Sequence, residues 1–386
     1  MSLSSTAMVV LAAVAHIIPF SLEHEAAAAY NANGVSSPTV VNRMNQKIES
    51  LRAISKKAAA PLPDSLDEAL IAESVSYLGS DEAAASIADD AYWPKWNSPW
   101  WHMMLLHELG LTERIPERAE ESIVKALQEK FLRFFPFREE EVPEGMDPLN
   151  SVACHCQLGT IYGLLFHYGL NIDSRLPWIR PWFFKYQLPD GGLNCDEEAY
   201  IRSEPKSSVV STLPSLEAIL MSLKDGSAEE ADYLEKGASY LISKRLFRSS
   251  CTGEPIIEGW TKLSFPRFYE YDILRGLSFL LAWSRATRRP LPLDAIAECI
   301  ELVDGDAPDG VIKVQRHAWG EHRTRKLDRA TGEWIKEDAS TFPLLSAASR
   351  IGTKSRALTA EWSHAKNDLL FLLDNDLVRE SIDCVQ

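Results

Sequence analysis

Cys154-His155-Cys156 is the densest run of metal-ligating side chains in the 386-residue chain. Thiolate and imidazole are natural zinc ligands, and Cys195 with Asp196 or His102 would complete a four-coordinate site drawn from neighbouring segments. Adjacent residues on one helix point in different directions, however, and cysteines of this kind also serve as small buried packing groups. Cys154, His155, Cys156, Cys195 and Asp196 are thus candidate ligands, with zinc the expected ion if one binds. Candidates for acid–base work are Asp190, Asp272, Tyr269, Tyr271 and His102; an aspartate at a helix start serves equally as an N-cap. Aromatic residues gather in two short segments, and Trp93, Trp100, Trp101, Trp260 and Phe268 are candidates for lining a substrate cavity. Such rings hold a hydrophobic chain, stabilise a carbocation or stack on a sugar, and they also fill cores. Lys206 and Arg267 are candidates for holding an anionic group.

The composition, 46% hydrophobic and 25% charged, is that of an ordinary globular protein. A formal net charge of −15 argues against a nucleic-acid surface. Six cysteines in so long a chain do not make a disulfide framework, so a reducing, cytoplasmic compartment is expected. Secretion through an atypical leader is the alternative: Ala7 to Phe20 is an apolar run followed by Ala26 to Ala29, but no Lys or Arg precedes Arg43. The run is too short for a convincing membrane span.

The elements that must position these side chains read as alternating helices. Apolar helices open near Pro99, Val152, Lys206, Phe265 and Ser340, and His102 and His155 are 53 residues apart, a repeat-sized spacing. Between them lie amphipathic helices over Ile115–Phe135, Leu176–Gln187, Ala228–Phe247, Pro292–Val303 and Thr359–Asp374. Asn45–Lys57 and Leu66–Leu78 form a further helical pair, and residues 1 to 45 read as a leader or poorly ordered arm ahead of a single domain over 46–386. Apolar helices inside and amphipathic ones outside make two layers. Val311–Gln315 and Glu333–Ile335 flank a turn and suggest a β-hairpin inserted on one rim.

The turn Gln187-Leu188-Pro189-Asp190-Gly191-Gly192 combines the residues that favour tight turns. It resembles the glutamine-x-x-aspartate-glycine-glycine-aromatic turn of squalene and oxidosqualene cyclases and of protein prenyltransferase β subunits, with Leu193 where an aromatic usually stands; polysaccharide lyases carry similar turns. The resemblance implies an all-α (α/α)6 toroid of about six helical hairpins, an open solenoid being the alternative. It also implies a terpenoid cyclase- or prenyltransferase-like enzyme with an aromatic central cavity for a hydrophobic or isoprenoid-like substrate, assisted by zinc in the prenyltransferase case. The Asp-x-Asp-Asp motif of class II cyclases is absent: Asp89-Asp90 and Asp304-Gly305-Asp306 are incomplete, which disfavours cyclisation. Two other readings stand beside it, a carbohydrate lyase or hydrolase on the same fold and a non-enzymatic helical-repeat binding module.

Overall fold

A computed structural model describes residues 38–62, 66–319, 323–328 and 330–380. The chain is mainly helical. The first half contains α1 (Pro38–Ser55), α2 (Glu68–Leu78), α3 (Asp81–Asp89), α4 (Pro99–Glu108), α5 (Glu117–Glu129), α6 (Pro148–Ser151), α7 (His155–Tyr168), α8 (Ile172–Arg175) and α9 (Ile179–Lys185). The second contains α10 (Glu198–Ile201), α11 (Val209–Met221), α12 (Ala228–Ser243), α13 (Ile273–Thr287), α14 (Leu293–Asp306), α15 (Pro343–Ala348) and α16 (Arg356–Asp374). Two small sheets complete it: β1 (Leu291–Pro292) lies parallel to β4 (Val378–Arg379), and β2 (Arg323–Asp328) pairs antiparallel with β3 (Glu333–Asp338). Among the described residues no helix is long and apolar enough to cross a membrane.

The alternation expected from sequence has a packing counterpart. In α4 every residue from Pro99 to Leu106 is buried, and in α7 every residue from His155 to Leu165. By contrast α5 and α12 bury one face and leave charged residues on the other. Helices α4, α7, α11 and α13 are successive neighbours, and α7 and α11 make the broadest contact. Their approach depends on Gly159, where a Cβ would lie 2.4 Å from the backbone carbon of Pro214 in α11. The first and last described helices also meet, since α1 packs on α14 and α16, and α15 packs on α2.

Several boundaries differ from expectation. Helix α1 starts at Pro38, inside the segment read as an arm; residues 1–37 of that arm lie outside the described residues. Helix α3 was not expected, and it is short because its nine residues must turn between α2 and the aromatic segment. The hairpin exists, but its first strand is Arg323–Asp328 rather than Val311–Gln315. Val311, Ile312 and Val314 are buried instead, and their backbone bonds to Thr353, Gly352 and Ser355 at the approach to α16. Burial on both sides, not pairing in a hairpin, is what that apolar run encodes.

Candidate metal centre

Cys154 is the N-cap of α7, with an extended backbone at φ −95° and ψ 162°. Its N–H donates to Gln157 Oε1 at 3.3 Å, which fixes the first turn. Cys154 therefore sits just outside the helix and Cys156 just inside it, so the helical projection that would separate their side chains does not apply. Their sulfurs converge to 3.1 Å.

Cys195 is brought to the same point by the glycine-rich turn. Gly191 has φ +96°, and a Cβ there would lie 2.2 Å from the Lys236 carbonyl oxygen, so only glycine lets the turn seat against α12. Gln187 Nε2 donates to the Gly191 and Tyr233 carbonyls at 2.8 and 3.0 Å. Asp190 accepts from the Ser207 N–H at 2.9 Å and from the Ser207 hydroxyl, which ties the turn to the segment leading into α11. Beyond it, the Leu193 N–H donates to Thr212 Oγ1 at 2.8 Å and the Cys195 N–H to Ser211 Oγ at 3.0 Å. Cys195 Sγ ends 3.6 Å from Cys156 Sγ, and all three sulfurs lie within 4.8 Å of one another. Each cysteine is buried.

Burial opposes ionisation of Cys195, but the Cys154 and Cys156 thiols and the Ser211 hydroxyl outweigh it and draw Cys195 well below the ordinary thiol range. Sulfur contacts and burial push Cys156 well up. The first turn of α7 turns its positive end toward negative charge gathered on the three sulfurs.

His155 does not join the sulfurs. Trp182 Nε1 donates to its Nδ1 at 2.7 Å, so Nε2 carries the proton and donates to the Tyr200 hydroxyl at 2.9 Å. Tyr200 in turn donates to the Tyr186 carbonyl and accepts the Asn194 N–H. Burial lowers the histidine to about 4, so it stays neutral. His155 thus braces the loop bearing Cys195 from behind. Asp196 accepts the Glu198 N–H at 3.1 Å, next to α10, and is not part of the sulfur group.

The other candidates divide plainly. Tyr269 packs against the three cysteines, and its hydroxyl accepts from Lys95 Nζ at 2.8 Å. Trp93 lies in the same corner, its indole N–H on the Leu149 carbonyl and its ring against Trp334 of β3. Phe268 stacks on Trp96 behind it, Trp101 meets Trp96 edge-on, and Trp100 is core. Tyr271 is buried, its hydroxyl on the Leu246 carbonyl and its ring against Trp260. Asp272 is fully buried as the N-cap of α13, accepting from Arg275 N–H and Ser264 and paired with Arg267 at 2.7 Å, away from the sulfur group. Asp190 is consumed by its turn. His102 lies between Ser74 and Phe342, and burial lowers it to about 3. Lys206 is exposed and contributes its carbonyl to Asn194.

Sequence reasoning missed the polar group that holds Tyr269 in place. Glu108 at the end of α4 accepts the Arg267 N–H at 2.7 Å and the Phe268 N–H at 2.5 Å. Arg275 forks onto Glu217 of α11 at 2.8 and 2.7 Å and donates to the Phe268 and Glu270 carbonyls. Arg267 reaches Glu361 of α16 at 2.6 Å. The loop before α13 is thereby clamped to three other helices. The available signal was an isolated charged residue among apolar neighbours in each of these helices, Glu108 in α4, Glu217 in α11 and Arg275 in α13, where burial demands a partner. Lys95 was likewise visible, lying between Trp93 and Trp96. Comparison with protein-family models, with curated proteins and with solved structures finds no match to this chain.

Proposed function

We propose that Cys154, Cys156 and Cys195 form a three-thiolate centre for a soft d10 cation, zinc first, with one coordination position left for an exogenous ligand. The observation that carries this is the convergence of three sulfurs from two separate elements. Tetrahedral zinc with Zn–S near 2.3 Å needs sulfurs about 3.8 Å apart, and separations of 3.1 and 3.6 Å, with all three inside 4.8 Å, reach that with small side-chain rotations. Three protein ligands are the pattern of a reactive site rather than of a closed structural one. When bound, the ion supplies a Lewis acid softened by its thiolates; the chain's own part is to hold the three sulfurs, neutral His155 and the Lys95–Tyr269 pair in fixed positions.

The reading extends to an enzyme on a closed helical ring of the terpenoid cyclase and prenyltransferase kind. Its support is the succession α4, α7, α11, α13, with the sulfurs, Tyr269 and the Tyr92–Trp96 segment all at the N-terminal ends of these helices, and the packing of α1 on α14 and α16. Among the substrate classes, a small molecule with a soft donor suits the site better than a long isoprenoid. The latter would press hydrocarbon against the Arg275–Glu217 and Arg267–Glu361 pairs immediately behind Tyr269, which is costly to desolvate.

Elemental analysis of untagged protein and cobalt(II) substitution test the centre. We expect one metal per chain and intense sulfur-to-cobalt charge-transfer absorption. Cys195→Ser should lower metal affinity by about a hundredfold or more, whereas His155→Gln, which removes only a brace, should lower it about tenfold and keep the stoichiometry. A wild-type protein that takes up neither zinc nor cobalt would refute the centre.

A further inference from the structure

A second pair of metal-ligating side chains meets where α4 and α7 end, far from the sulfurs. His107 is the last residue but one of α4 and His167 the last but one of α7, and the two helices are neighbours. His167 stands roughly 16 Å further along α7 than Cys156. The two imidazole centroids are 5.1 Å apart, with the ring planes tilted by 51°. Each ring is pinned through the same atom. His167 Nδ1–H donates at 2.9 Å to the Gly163 carbonyl, one turn back in its own helix, so the lone pair is on Nε2. His107 Nδ1 bonds at 2.9 Å to Thr112 Oγ1, and an ion at Nε2 selects the tautomer whose Nδ1–H donates there. Neither Nε2 has a hydrogen-bond partner among the described residues. His167 is exposed and His107 half-buried, so the pair is reached from solvent. Burial, then the charges of His167 and Arg275, lower His107 to about 4, so its ring is neutral near pH 7. Arg275 is itself forked onto Glu217, which offsets its charge.

We propose that His107 and His167 form a second metal site, independent of the sulfur centre, in which their two Nε2 atoms hold one divalent ion of the copper, nickel and zinc group, copper(II) most tightly. Geometry, donor type and support select this class. An ion about 2 Å from each Nε2 stands roughly 3 Å from each ring centroid, so a near-tetrahedral angle between the two ligands places the centroids about 5 Å apart, as they are. Two imidazoles without thiolate or carboxylate suit these borderline ions rather than magnesium or calcium, and copper(II) heads the affinity series, so a site with few protein ligands retains it best. No third histidine, cysteine or carboxylate joins the pair among the described residues, which leaves the other positions to water or a small oxygen or nitrogen ligand. Finally, an Nδ1–H held by a carbonyl or hydroxyl is the support that fixes the ring of a ligating histidine and raises the basicity of its Nε2. Gly163 and Thr112 supply it here, each from the helix or turn that carries its histidine.

The test adds copper(II) to the full chain already carrying one equivalent of zinc, and pulsed EPR counts the imidazoles bound in the copper plane. Wild type should retain one copper with two imidazoles. His167→Gln changes an exposed side chain, so its urea midpoint should match wild type while the count falls to one and copper affinity drops by about a hundredfold or more, the loss expected when two linked ligands become one. Thr112→Val keeps both ligands but frees the His107 ring, and should keep the count at two with affinity about tenfold lower. A wild-type protein that retains no copper, that binds it through one imidazole, or that shows sulfur-to-copper charge transfer instead overturns the proposal. So does a two-imidazole signal that survives in His167→Gln, since other histidines would then be the ligands. None of these outcomes bears on the sulfur centre, whose own test is zinc and cobalt stoichiometry.

Discussion

Asp90 shows how a single side chain at the edge of the aromatic segment is used for shape at an electrostatic cost. Its Oδ1 accepts the Tyr92 and Trp93 N–H groups at 2.9 Å each, which bends the chain there, while Oδ2 is buried with no hydrogen-bond partner among the described residues. Burial raises its pKa to about 6 despite those bonds. A carboxyl whose folded pKa exceeds its unfolded value of 3.8 binds its proton more tightly in the fold. It therefore weakens the protein above pH 6, and that penalty is relieved as pH falls from about 6 to about 4. Asparagine keeps the Oδ1 acceptor without the charge. Asp90→Asn should be more stable than wild type by about 1–3 kcal/mol at pH 8, the gap closing by pH 4. Urea unfolding at the two pH values measures this, and equal stability at pH 8 would show that Oδ2 reaches water. At this scale the sequence put the three cysteines into one group, as the structure does, together with His155 and Asp196, whose polar atoms bond elsewhere. Whether His155 faces the sulfurs or Trp182 depends on Cys154 being a cap rather than a helical residue, and residue types alone do not place a helix start to within one position.

Between elements, the contact that matters most for the centre is α7 on α11, because α7 carries two of the sulfurs and α11 carries the Ser211 that holds the third. Gly159 lies at its closest point, where backbone meets backbone and neither side can give. Gly159→Ala should destabilise by about 3 kcal/mol, as overpacking does when no side chain can swing away. It should also weaken metal binding, since separating the helices parts Cys156 from Cys195. Gly163, one turn further along α7, is the control: a Cβ there meets the Met221 methyl at 3.3 Å, the mobile end of a flexible side chain. Gly163→Ala should cost under about 1 kcal/mol. Urea midpoints with cobalt titrations compare the two, and equal effects would mean that the closeness at Gly159 does not govern the packing. The existence of these helices was legible because burying a whole helix requires a segment with almost no charged residues, which α4, α7 and α11 display. The clamp on the loop before α13 was not, because Glu108, Glu217 and Glu361 come from segments more than 100 residues apart and meet through tertiary packing alone.

For the whole molecule, sequence period indicates repeated hairpins but not whether the first touches the last, since closure is decided by contacts of the largest sequence separation. In the structure α1 docks through Leu51, which is fully buried, and Arg52 donates to the Leu373 carbonyl at 3.2 Å. Lys366 of α16 donates to the Lys57 carbonyl, and the Ala60 N–H to the Asp309 carbonyl. These contacts give a measurable difference between a ring and an open stack. In an open stack an end repeat has one neighbour, so weakening it uncouples it and it melts first, alone. In a ring every repeat has two neighbours, and loss at the seam lowers the stability of the whole. Leu51→Ala should cost about 3 kcal/mol by removing buried methyl groups at that seam. If the helices close on themselves, tryptophan fluorescence, which reports Trp362 in α16 and Trp101 in α4 together, should show one transition displaced to lower urea, coincident with circular dichroism. A second, earlier transition seen by circular dichroism and not by the buried tryptophans would mean that α1 is an appendage and that the helices form an open stack.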